Sequence, residues 1–272
     1  WHCEYDADGN LTERYLGTGR WLDGKKDRWR YRWNADGSLA KVVRPDKREV
    51  EFTYDALGRR LSKSFGTTVT RWVWNGNVPL HQWKQHREYS VVEDRWNTDT
   101  ERRDMTVWLF DEESFVPVAM IKEGRSYSIL TDQLGTPTEA YDTEGNEVWS
   151  RVLDMDGNVI EETGNKGMVP FLFQGQYYDR ETGLAYNRFR YYSPKMGVYV
   201  SQDPIGLGGD NPTLYGYVTD TNIWVDIFGL IPAPSDLPNT PGIYIITNKE
   251  ANLSYVGSSG IGKQGMNQRI SD

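Results

Sequence analysis

Cysteine is nearly missing from this chain of 272 residues: Cys3 stands alone, so no intrachain disulfide can form and the redox compartment stays open. Histidine is almost as scarce. His2, His81 and His86 leave little room for His-based catalysis or a zinc site. No run of roughly 18 apolar residues occurs, so nothing reads as a membrane span, and mean hydropathy is -0.69. The opening Trp1-His2-Cys3-Glu4-Tyr5 has neither a start methionine nor a signal-peptide pattern, and the chain reads as a fragment of something longer. Positive charge is in deficit. A net charge of -8 argues against a protein whose whole surface binds nucleic acid.

Aromatic residues and glycine are what the chain has in excess, with 11 Trp, 17 Tyr and 27 Gly. Trp and Tyr between Gly-containing turns favour strands over helices. The length suits one large β domain plus a small extra module. One short pattern recurs: an aromatic, Asp or Asn, two residues, Gly, then a polar and an apolar residue. It appears as Tyr5-Asp6-Ala7-Asp8-Gly9-Asn10-Leu11, as Trp33-Asn34-Ala35-Asp36-Gly37-Ser38-Leu39 and as Tyr54-Asp55-Ala56-Leu57-Gly58-Arg59-Arg60-Leu61. It returns as Tyr141-Asp142-Thr143-Glu144-Gly145-Asn146-Glu147-Val148, and more loosely as Leu153-Asp154-Met155-Asp156-Gly157-Asn158-Val159.

The unit has a simple physical reading. Asp or Asn starts a turn through its side chain, and Gly supplies the positive φ that closes it. Flanking residues alternate between two strands, as in Glu51-Phe52-Thr53-Tyr54. A lone hairpin of this kind cannot bury its apolar face, so neighbours must stack into a continuous sheet. Tyr127 to Pro137 adds a further turn, with Gly135 and Pro137 as breakers. Residues 81–105 break the pattern and are polar and charge-rich, which predicts a loop or a solvated hairpin. His81 and His86 lie five apart there, without a carboxylate or Cys partner at ligand spacing.

These units resemble YD repeats over most of residues 1–163. The resemblance implies a mainly β fold, with strands spiralling into part of a hollow shell around a toxic C-terminal segment. Residues 164–230 carry the sharper signal. Phe173-Gln174-Gly175-Gln176-Tyr177-Tyr178-Asp179 leads through Glu181-Thr182-Gly183-Leu184 to Tyr186-Asn187-Arg188-Phe189-Arg190-Tyr191-Tyr192. Ser201-Gln202-Asp203-Pro204-Ile205-Gly206-Leu207 and Tyr215-Gly216-Tyr217 follow, and Trp224-Val225-Asp226-Ile227-Phe228-Gly229-Leu230 closes the stretch. In order and spacing this resembles the core domain of Rhs toxins. Two departures stand out: Ser193 where the family usually has Asp, and Ile227 where it usually has Pro. Losing that Pro removes a fixed φ and is expected to loosen the turn.

Peptide hydrolysis without metal, Ser–His or Cys–His can use two carboxylates close enough to share a proton, one as base and one as acid. No serviceable His lies near the core, so a carboxylate pair fits what is available. By resemblance the pair is Asp203 and Asp226, with Arg190 as an anchor for the carboxylates or a polariser of the carbonyl. The implied self-cleavage falls between Leu230 and Ile231 and needs no cofactor. Asp179 and Glu181 read as turn residues.

Composition switches at Ile231. Residues 231–241 hold Pro232, Pro234, Pro238 and Pro241 and read as a linker. Gly242-Ile243-Tyr244-Ile245-Ile246-Thr247-Asn248 and Leu253-Ser254-Tyr255-Val256-Gly257-Ser258-Ser259 read as a β-hairpin, and Met266 to Ile270 as the start of a helix. Gly242-Ile243-Tyr244 and Tyr255-Val256-Gly257 resemble the opening motifs of a GIY-YIG nuclease, a small α/β domain that residues 242–272 would begin and not complete. The resemblance gives Tyr244 and Tyr255 the activation and placement of the attacking water, and gives Arg269 the scissile phosphate. It implies a divalent metal (Mg) for the complete nuclease, bound in part by a Glu further downstream. Lys249, Lys263 and Arg269 only balance Asp236, Glu250 and Asp272, so no basic patch supports the nuclease here.

Together these resemblances imply the C-terminal part of an Rhs-type polymorphic toxin used between bacteria, secreted by a type VI or related system and delivered into a target cell. Its implied partners are nucleic acid, a cognate immunity protein, and secretion machinery or a spike protein. Other readings stay open: a non-enzymatic orphan shell, the C component of an insecticidal Tc-type toxin, or a Gram-positive wall-associated relative.

Overall fold

The structure is a computed structural model. It describes residues 1–16, 27–112, 114–209 and 213–230, together with the backbone of Gly242–Asn248 and Leu253–Ser259. Fifteen strands build one antiparallel sheet: β1 (His2–Tyr5), β2 (Leu11–Tyr15), β3 (Trp29–Trp33), β4 (Leu39–Val43), β5 (Glu49–Tyr54), β6 (Arg60–Phe65), β7 (Thr68–Asn75), β8 (Val78–Ser90), β9 (Arg95–Thr98), β10 (Arg103–Phe110), β11 (Pro117–Lys122), β12 (Arg125–Thr131), β13 (Pro137–Tyr141), β14 (Glu147–Leu153) and β15 (Val159–Gly164). Strands neighbour one another in chain order, except that β9 pairs only with β8 and β10 takes the next place in the sheet. A second antiparallel sheet holds β16 (Tyr177–Asp179), β17 (Leu184–Asn187), β18 (Arg190–Ser193) and β19 (Val198–Tyr199). A 3-10 turn at Gly206–Gly209 is the helical element among the described residues.

The repeated turn has one geometry. In the Asp55 copy, Gly58 N–H donates to Asp55 O at 2.9 Å and Asp55 N–H to Arg59 O at 2.9 Å. The Asp55 carboxylate accepts from the N–H groups of Leu57 (2.9 Å) and Arg59 (2.8 Å). Gly58 takes φ 76°, which an L side chain adopts only under strain. The same pattern recurs at Asp6, Asp132, Asp142 and Asp154. In each of these hairpins the register slips one residue just before the Asp, so that Tyr54 faces Arg60 and Tyr141 faces Glu147. One copy lacks the glycine. Arg44 N–H donates to Arg48 O at 3.0 Å, and Lys47 carries the positive φ of 66°.

Alternation then sorts the side chains. Leu11, Tyr31, Leu39, Val42, Val50, Phe52, Trp72, Trp108, Met120, Ile129, Ala140 and Trp149 share one face of the large sheet. They form a single buried cluster with Phe171, Tyr177, Leu184, Tyr186, Tyr191 and Val200 of the following segment. Residues 169–200 are therefore the core against which the repeat array closes. A buried charge cluster fastens the two parts. Asp179 accepts from Arg60 Nη1 and, at 3.0 Å, from Lys63 Nζ, while Lys63 also reaches Glu181 at 2.7 Å. The Arg60 guanidinium lies 4.4 Å from the Trp72 ring centre and 4.6 Å from that of Tyr186. Asp179 does open a turn, through its main-chain O to Thr182 and Gly183, but its carboxylate is a fully buried ion-pair partner that the turn reading missed.

Residues 81–105 contain the expected solvated hairpin, between β8 and β9, but no loop around the histidines. His81 and His86 lie inside the 13-residue strand β8, not in a loop, and β8 pairs with β7, β10 and β9. The β8–β9 end is solvated: all of β9 is exposed, as are Glu88 and Tyr89 on β8 and Val91 and Val92 at the tip. Being five apart on a strand, the two histidines face opposite sides of the sheet. No group of His, Cys, Asp and Glu among the described residues is arranged to hold a metal ion.

The segment after the core contains the expected hairpin, β20 (Gly242–Asn248) with β21 (Leu253–Ser259). In its register Tyr244 faces Gly257 and Tyr255 faces Ile246, two steps apart on the ladder. The α/β completion expected beyond it, including the helix from Met266, Arg269 itself, Ile231 and the 231–241 linker, lies outside the described residues.

Candidate active site

The core motif brings three of the expected residues together at one buried point. Arg190 opens β18, Asp203 follows β19, and Asp226 begins the last turn before Leu230. All three are almost wholly buried. Arg190 Nη2 donates to Asp203 Oδ2 at 2.8 Å and reaches Asp226 Oδ2 at 3.4 Å, so one guanidinium nitrogen bridges the two carboxylates. Arg190 Nε donates to Gly229 O, and Nη1 to Leu214 O at 3.3 Å. Arg190 thus bonds both of the expected carboxylates, and it also grips the main chain one residue before Leu230.

The turn from Asp226 to Leu230 is held from several sides. Leu230 N–H donates to Asp226 Oδ1 at 2.9 Å, so the carboxylate touches the residue whose carbonyl forms the expected scissile bond. Asn187 Nδ2 donates to Asp226 O at 2.7 Å, and Phe189 N–H to Phe228 O at 3.2 Å. Gly229, at φ 68°, lies so close to Asn187 O that a Cβ would come within 2.7 Å of it. Gly175 leaves room for Ile227 O, which a Cβ there would meet at 2.1 Å. Ile227, Phe228 and Leu230 are buried beside Phe115, Phe189 and Ile205. The missing Pro therefore does not leave the turn slack: these contacts supply the restraint that a fixed φ would have given.

Two further residues join the site that sequence reasoning missed. Tyr199 OH donates to Asp226 Oδ2 at 2.8 Å, and its ring lies 3.7 Å beneath the Arg190 guanidinium. Asn187 Nδ2 donates to Tyr199 OH at 2.7 Å. Nothing in Gly197-Val198-Tyr199-Val200 separates this tyrosine from the many others that merely fill sheets. Ser193 is fully buried, and its Oγ accepts from Arg14 Nη1 at 3.2 Å across the interface with the repeat array. The departure at this position thus falls at an array–core contact, away from the carboxylate pair.

Burial pushes the Asp226 carboxyl above its ordinary value. Arg190, Tyr199 and the N–H groups of Leu230 and Gly229 oppose that rise without cancelling it. A carboxyl whose proton affinity is raised, beside a second one that makes the closer contact with the shared arginine, is a pairing that acid–base hydrolysis can use.

Taken with the repeat array, this core defines a class of β-shell protein. The model of the Teneurin YD-shell family matches residues 1–207, and the chain belongs to that family. Among curated relatives, the probable deoxyribonuclease RhsA of Dickeya dadantii (strain 3937) is 29% identical over 245 residues, covering 86% of this chain and 16% of its own length. The double-stranded DNA deaminase toxin A of Burkholderia cenocepacia (strain H111) is 31% identical over 250 residues, covering 84% of this chain and 17% of its own. The chain thus spans about a sixth of these relatives' length. A crystal structure of TcdB2-TccC3 without its hypervariable C-terminal region shares the fold, with a TM-score of 0.58 and 19% identity over 74% of this chain and 10% of that one.

Proposed function

We propose that this chain is the closing part of a toxin shell whose core cuts its own backbone between Leu230 and Ile231, freeing the segment that follows. The observation that carries the reading is the single Arg190 nitrogen bridging Asp203 and Asp226, with Asp226 bonded to Leu230 N–H. Asp203, the closer partner of Arg190, serves as the base. It takes a proton from water as the water oxygen bonds to the Leu230 carbonyl carbon. Asp226, whose proton affinity is raised, gives its proton to the Ile231 nitrogen as the C–N bond breaks. The products are a Leu230 carboxylate and an Ile231 amine. Arg190 holds both carboxylates and, through Gly229 O, the chain they act on.

The released segment is read as a GIY-YIG-type nuclease with Tyr244, Tyr255 and Arg269 in the site. A divalent metal (Mg), held in part by a Glu further downstream, would relieve charge at the phosphate in the complete nuclease. Relatives named as a probable deoxyribonuclease and as a DNA deaminase toxin support a nucleic-acid target. A cognate immunity protein and a secretion or spike partner belong to the same reading, as does delivery into a target cell. No described helix is long and apolar enough to cross a membrane.

The test is a denaturing gel of the protein expressed in its full reading frame. The wild type is expected to give two bands, the smaller starting at Ile231 by N-terminal sequencing, and Asp203→Asn or Asp226→Asn a single uncut band. One uncut wild-type band would overturn the reading and leave a non-enzymatic shell.

A further inference from the structure

We infer that Tyr199, held by Asn187, is a positioning residue that stabilises the Asp226 carboxylate formed when Asp226 gives up its proton. The inference rests on the self-cleavage reading above and deepens it.

The geometry runs in one direction. Asn187 is fully buried on β17, and its amide nitrogen donates both to Asp226 O and to Tyr199 OH, each at 2.7 Å. With its oxygen accepting from Asn187, the phenol has its own hydrogen left to give, and it lies 2.8 Å from Asp226 Oδ2. Asn187 thus fixes the main chain of the acid and the donor that serves it with one side chain. The tyrosine cannot swing away, because its ring is fully buried under the Arg190 guanidinium and against Tyr192 and Tyr217.

The other groups facing Asp226 can be named. Arg190 from β18 supplies the positive charge, and Asp203 shares its nitrogen. Tyr217 OH accepts the Asp226 N–H at 3.3 Å, and Leu230 N–H occupies Oδ1. Gly229 N–H is a further main-chain donor to this carboxylate, and the side chains that bond Oδ2 are Arg190 and Tyr199. Arg190 supplies the larger relief through its charge, and the tyrosine, at the shorter contact, adds the hydrogen bond that a newly formed buried anion needs. Burial holds the phenol's own titration well above its ordinary value, so it stays a neutral donor throughout the working range.

The sign follows. An acid works while protonated, so cutting falls as pH rises through the value of Asp226. Removing a donor to its ionised form raises that value. In full-frame protein, Tyr199→Phe is expected to slow cutting at least about tenfold and to move the falling limb of the pH–rate profile up by about one pH unit. Asn187→Ala is expected to do the same more weakly. Site-specific replacement of Tyr199 by a fluorinated tyrosine, a stronger donor of the same shape, is expected to move the limb down, and it gives the answer should Tyr199→Phe not fold. A wild type that cuts, with an unmoved limb in a folded Tyr199 variant, overturns this inference alone. A wild type that never cuts overturns the reading beneath it as well.

Discussion

At the scale of single residues, the chain places charge where burial makes its loss costly. Asp179 answers both Arg60 and Lys63 inside the interface between the array and the core. Replacing a buried ion with its neutral isostere strands the partners, at a cost of about 3–5 kcal/mol. Asp179→Asn is expected to lower stability by that amount in chemical denaturation while leaving the carboxylate pair chemically intact. The same logic separates Asp179 from Asp203 and Asp226. All are buried aspartates, but Asp179 faces two cations, whereas Asp203 and Asp226 share one.

Elements repeat here because one turn repeats. Asp55 and Gly58 show the division of labour, the carboxylate collecting two N–H groups and the glycine taking φ 76°. Gly58→Ala is expected to cost about 1–2 kcal/mol. Lys47→Gly, at φ 66° in the copy without glycine, is expected to be neutral or to gain less than about 1 kcal/mol. Thermal melts of the two variants check the contrast. The glycine-marked turns were legible in the sequence because their cause is local: Asp and Gly three residues apart dictate the geometry. The Arg44–Arg48 turn was not legible, since its αL residue is a lysine that no local rule selects. Strand β8 was hidden for a related reason. Its outer end pairs only with β9 and faces water, so its polar residues read as a loop. The site was legible as far as its charged members, Arg190, Asp203 and Asp226, which a motif marks. Asn187 and Tyr199 join it only through contacts that chain folding makes, and the nuclease tail beyond the β20–β21 hairpin stays an expectation.

For the whole molecule, the decisive fact is that the 226–230 turn belongs to the core it is proposed to be cut by. Ile227, Phe228 and Leu230 are buried, and Asn187, Phe189 and Arg190 hold its main chain. Cutting after Leu230 removes none of those contacts. The upstream fragment is therefore expected to keep its fold, and its new end to stay lodged against Asp226. Mixing wild type with an excess of Asp226→Asn protein is expected to leave the variant uncut, and any trans cleavage on the gel contradicts the lodged end. Arg190 Nε on Gly229 O has a stoichiometric consequence. A site that keeps its own product in place behaves as a reagent consumed at one equivalent, so the amount of released segment counts assembled cores and cannot be amplified by time.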